Sequence, residues 1–170
     1  MPTEISGSTG VNKIQSSAIE YGDLPTGSVL QVVHSGTTTA ANISSSSFST
    51  IGLSASITPK STSSKILITT NLSVTMGSWQ GNDHGMGVQI TRGGSQIYAN
   101  VNEYIFAYYN NANSSSTSHV YQRPSMSFLD SPSTTSAITY EIKVAAYESK
   151  TIGMQAGSGR SDLTLIEVAG

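Results

Sequence analysis

The sequence predicts an all-β protein, an antiparallel sandwich or jelly roll, and three observations carry that expectation. Apolar residues fall at every second position through most of the chain, as strands with one buried face require. Nothing persuasive repeats at helical spacing. Finally, 50 of the 170 residues are Ser or Thr and only 18 are charged, 11% against ~25% in ordinary soluble domains. Hydroxyl-rich strand faces pair across a ladder without the mobile side chains of Lys and Glu. Such a surface suits a rigid, long-lived assembly better than a catalyst.

The chain divides in two by pattern. Residues 1–27 carry thinly spread apolar positions and end on Gly-Asp-Leu-Pro-Thr-Gly (Gly22 to Gly27). Alone, such a stretch buries too little surface to offset its ordering entropy. It reads either as a loose leader or as an extended N-terminal arm anchored on a neighbour through Val11, Ile14, Ile19 and Leu24.

Residues 28–170 read as the knob. Ser28 to His34 is a short β run, and Ile51, Leu53, Ala55 and Ile57 alternate until Pro59 opens a turn. Ile66 to Val74 alternates over a longer span, and Met76 to Gly85 reads as a loop holding Trp79. Met86 to Ile90 and Ile97 to Val101 flank Gly93-Gly94, the best hairpin signal in the chain, because glycine adopts positive φ freely. Tyr104 to Tyr109 is a dense apolar strand. Val120 to Phe128 alternates through Pro124, which argues for an edge or a bulge. Ile138 to Ala146 gives five clean alternations, and Ile152 to Ala156 and Leu163 to Val168 complete nine or ten strands. That count, with regular turn signals, points to a sandwich or jelly roll.

Composition narrows the function. The net charge of −2, with eight scattered Lys and Arg, offers no basic stripe, so no nucleic-acid partner is expected. No apolar run approaches a membrane span, no basic-then-apolar leader opens the chain, and no cysteine is present for disulfide or thiolate chemistry. A soluble product made in a cytoplasm is expected.

His34, His84 and His119 share no ligand spacing, and the aspartates are isolated, so neither a metal nor a cofactor is expected. Asp83-His84 reads as a surface loop. No G-x-S-x-G elbow is present. Glu103, Glu141 and Glu148 make a poor carboxylate pair, because Glu141 alternates against Tyr140 and Ile142 and faces solvent. The Gly-rich fragments precede no helix and read as turns, not phosphate cradles. No catalytic residue is predicted, and an enzyme is not expected.

In the aromatic run, Tyr104, Phe106 and Tyr108 share one strand face, while Ile105, Ala107 and Tyr109 share the other. Apolar residues on both faces mean that both are covered. Either the strand is central in one sandwich, or Tyr104, Phe106 and Tyr108 pack on a sister subunit.

The fragments PTGSVLQVV (Pro25 to Val33), SITPKSTSSKILITTNLSV (Ser56 to Val74), ITRGGSQIY (Ile90 to Tyr98) and SDLTLIEVAG (Ser161 to Gly170) resemble small virion proteins of tailed bacteriophages, cyanobacterial ones among them. The resemblance implies a trimeric jelly-roll knob fed by an attachment segment, on the virion surface, made in the host bacterial cytoplasm. It implies two roles. One is a capsid decoration, or cement, protein held by its arm to the major capsid protein or another virion protein. The other is a short head or tail fibre binding a host surface glycan, for which Trp79 and Tyr121 are the candidate contacts. An arm of 27 residues, reaching at most roughly 90 Å, is too short for a fibre shaft, which favours decoration.

Overall fold

A computed structural model of the chain describes residues 20–78, 83–100, 106–110 and 118–170. Its strands are β1 (Val29–Thr37), β2 (Ala41–Ile43), β3 (Ser49–Ile57), β4 (Lys65–Asn71), β5 (Val74–Ser78), β6 (Asp83–Arg92), β7 (Ser95–Asn100), β8 (Ala107–Asn110), β9 (Ser118–Gln122), β10 (Ser125–Asp130), β11 (Ile138–Ala146), β12 (Ile152–Met154) and β13 (Ser161–Val168). The described residues form no α-helix, only three short 3-10 turns. The protein is all-β.

Three antiparallel sheets run β1-β13-β4-β10, β2-β12-β5-β9 and β3-β11-β6-β7, with β8 also paired to β6. The first two share one order because they are halves of the same four strands, each interrupted at the same level. The breaks fall at residues 38–40, 72–73, 123–124 and 155–160. The molecule is thus a sandwich of one long, interrupted sheet against the β3-β11-β6-β7 sheet, with buried side chains from both layers in a single core.

Local chemistry explains the interruption. Pro124 has no N–H to continue the ladder, and its carbonyl accepts from Leu72 N at 2.9 Å. Gln155 adopts a left-handed backbone, φ 53°, and its N–H bonds Ser73 O at 3.0 Å. The buried Ser161 Oγ accepts from Ser73 N at 2.9 Å and from Gln155 Nε2 at 2.7 Å. These bonds replace ladder bonds that the break removes.

The alternations became strand faces. Ile51, Leu53, Ala55 and Ile57 are all buried, as are Tyr140, Ile142, Val144 and Ala146. Even-numbered positions from Ile66 to Met76 stay buried straight through the break between β4 and β5. Gly93 and Gly94, at φ 55° and 84°, form the two-residue turn joining β6 to β7. Pro124 interrupts an edge strand, one of the two settings expected from sequence.

Two expectations differ from the structure. The loop expected from Met76 to Gly85 is shorter: Met76 is buried in β5, and Asp83 and His84 open β6. His84 is therefore a buried strand residue, not a loop residue. Burial, and secondarily the charge of Lys150, lowers its pKa below the usual imidazole value. Of the aromatic run, Phe106 lies in a turn and the strand starts only at Ala107.

One polar bolt joins the layers. Arg92 of β6 donates through Nη1 to both carboxylate oxygens of Asp130 in β10, at 3.0 and 2.9 Å, and the buried Tyr140 hydroxyl donates to Asp130 at 2.6 Å. Burial first, and then the hydrogen bond to Asp130, pushes the Tyr140 hydroxyl far above the ordinary tyrosine pKa. On the same inner face Glu167 is buried, accepting from Lys60 N at 2.6 Å and from Gln31 Nε2.

Candidate functional site

Strand alternation sends Leu163, Leu165 and Glu167 of β13 inward, so Asp162, Thr164, Ile166 and Val168 must face outward. Register then places whole rows across the long sheet's outer face. One row reads Gly36, Asp162, Asn71, Ser125, and the next His34, Thr164, Thr69, Ser127. A groove of about 480 Å³ runs over these rows, lined by Thr69, Asn71, Ser125, Ser127, Asp162 and Thr164.

A charged cluster closes one side of the groove. Arg160 Nε donates to Asp162 Oδ1, His34 Nε2 lies 3.3 Å from the same oxygen, and His34 Nδ1 lies 3.1 Å from Thr164 Oγ1. Gly36 makes this possible, because a Cβ there would collide with the Arg160 guanidinium. The set contains a hydroxyl, an imidazole and a carboxylate, the components of a nucleophile relay. However, Asp162 is engaged by Arg160, and β13 is hydrogen-bonded on both sides by β1 and β4, so its backbone presents no free donors for an oxyanion. The cluster is suited to polar recognition. Among the described residues, no group of three His, Asp or Glu could hold a metal.

The sequence-predicted residues fall in separate places. Val11, Ile14, Ile19, Tyr104 and Trp79 lie outside the described residues. Leu24 is half-buried and lines a smaller depression of about 270 Å³ with Tyr21, Leu30 and Lys60. There the lead-in is clasped to the chain's other end: Gly27 N bonds Ala169 O at 2.8 Å, Ala169 N bonds Ser28 O at 2.9 Å, and Lys60 Nζ stands 5.3 Å over the Tyr21 ring. Gly27 is therefore tied to the body by backbone hydrogen bonds, and residues 20–26 lie along its surface with only Leu24 half-buried.

Phe106 packs against the core of its own chain, while Tyr108 is 40% exposed. Tyr121, 73% exposed, stands on β9 next to Tyr108's strand, where Gln122 Nε2 donates to Tyr108 O at 3.2 Å. Sequence reasoning missed the His34–Arg160–Asp162 cluster. The Arg-Ser-Asp run set Arg160 just ahead of β13 and Asp162 on its outer face, but only the β1–β13 register adds His34.

No family model matches the chain, and no curated protein shows significant similarity to it. No helix among the described residues is long and apolar enough to cross a membrane.

Proposed function

We propose that this chain is a non-enzymatic structural protein of a tailed-bacteriophage virion, a trimeric capsid decoration protein whose N-terminal arm ties it to the shell. The observation that carries the reading is the clasp. Gly27 and Ser28 pair with Ala169, so the lead-in departs from one fixed end of a rigid sandwich, the geometry that an arm-and-knob clamp uses. Counting each broken strand once, the sheets read 1-8-3-6 and 2-7-4-5, and this order supports the jelly-roll knob that the resemblance to phage virion proteins implies. The sparse charge and abundant Ser and Thr fit a surface coat.

A second reading has its own support. The hydroxyl-lined groove and the protruding Tyr121 fit a fibre knob that binds a host surface glycan, since sugars are held by polar side chains together with aromatic faces.

One truncation separates the readings. Tyr21 and Leu24 rest against the body beside Lys60, so the cut falls after residue 19. The truncated protein should fold and assemble normally yet fail to rebind particles stripped of the protein. Equal rebinding would move attachment to the knob. Truncated protein that coats host cells and blocks infection would put the fibre reading first.

A further inference from the structure

Beyond the two polar rows, the outer face of the long sheet changes character. The next row across all four strands is Val32, Ile166, Leu67, Leu129, in continuous register. Val29 and Val168 continue it at the end of β1 and β13. Val29, Val32 and Leu129 are 60%, 58% and 51% exposed, three of the few large apolar side chains left open to solvent among the described residues. Alternation explains exposed residues but not this set, since, Lys65 at the border aside, the other outward positions nearby are Gly, Ser, Thr, Asn, His or Asp. A single exposed apolar side chain is ordinary; three in contiguous rows, with the half-buried Leu67, Ile166 and Val168 between them, are not.

We infer that this apolar row is the face through which copies of this chain associate. The assignment rests on the reading of the chain as an assembling virion protein; a face that meets itself closes as a two-fold pair, in place of a threefold contact through Tyr104, Phe106 and Tyr108.

Four features select a second copy as the occupant. The row and the polar row beside it carry no carboxylate and no Lys or Arg, so two identical faces meet without like-charge repulsion. Charge lies at the borders, in Arg160 and Asp162 on one side and Lys65 on the other, where a rim belongs. Strand spacing and rise give this half of the sheet an area of roughly 450 Å² per copy, hence about 900 Å² for two, close to the size at which specific contacts begin. Neighbouring Ser and Thr hydroxyls supply both donors and acceptors, so the same surface can hydrogen-bond to itself. A lipid surface would instead favour a basic border, and a sugar an aromatic one.

The test uses the full chain. Sedimentation velocity should show an oligomer for the wild type, while V32D and L129D shift the population toward the 17.8 kDa monomer, weakening association at least tenfold. The control T50D, on the other sheet's outer face, should assemble as the wild type does. Circular dichroism should report unchanged folding for each variant, because all three substituted side chains already face solvent. A second readout uses the absence of native cysteine: L129C should react with a maleimide at least tenfold more slowly than T50C at assembling concentration, and equally fast when diluted. Variants V32D and L129D that keep the wild-type mass, with L129C labelled as fast as T50C, would overturn the face and leave the assembly reading standing. A wild type that stays monomeric at every concentration would overturn both.

Discussion

Substituting Asp130 by Ala removes the acceptor at the centre of the polar bolt between the two layers. Its carboxylate holds Arg92 Nη1 through both oxygens and the Tyr140 hydroxyl at 2.6 Å. Tyr140 is fully buried, so its hydroxyl would have no water to turn to, a loss of about 1–3 kcal/mol. Arg92 keeps a third of its side chain exposed, so water takes over part of its hydrogen bonding, and its share is about 1 kcal/mol. The expected total is about 3 kcal/mol, a large fraction of the ~5–15 kcal/mol that holds a typical domain together. Urea unfolding followed by far-ultraviolet circular dichroism measures it, at one fixed protein concentration because assembly adds to apparent stability. The second arm is the double variant D130A/Y140F. With the orphaned hydroxyl gone, it should be less destabilised than the sum of the single variants, by about 1–2 kcal/mol. A loss below about 1 kcal/mol for D130A, or strict additivity, would refute the view that the hydroxyl's lost acceptor dominates.

Tyr140 also predicts an alkaline signature. Its folded pKa lies above the unfolded value, so the folded state holds this proton where the unfolded chain has released it. The resulting stability is complete below about pH 10 and declines as pH rises past it, by about 1.4 kcal/mol per unit for one proton. Y140F should reduce the alkaline slope by that amount; an identical slope in both proteins would count against the assignment. At the β6–β7 turn, Gly94 has φ 84° with open space around the position of a Cβ. G94A should therefore cost about 1 kcal/mol through backbone strain alone, and an unchanged denaturation midpoint would show that the turn relaxes.

The all-β class, the identity of most core residues and the Gly93-Gly94 hairpin were legible in the sequence. Each depends on local rules: alternation sets which side chains share a face, and glycine tolerates positive φ. Pro124 marked an edge or a bulge for the same kind of reason, its missing N–H, and the sheet order made it an edge. What the sequence could not supply was register between distant strands. Alternation alone puts Glu167 on the face of Leu163 and Leu165, but its partners Gln31 and Lys60, distant in sequence, come only with the pairing. The expected loop around His84 failed because isolated polar residues look alike whether a strand runs through them or not, and β8 pairing with β6 decided that this one does. The candidate site is more non-local still. His34 meets Asp162, 128 positions away, and Val32 lines up with Ile166, Leu67 and Leu129 only because four strands from remote parts of the chain pair in one order. Side-chain period is a property of each strand alone, whereas a row across a sheet exists only after the ladder has closed.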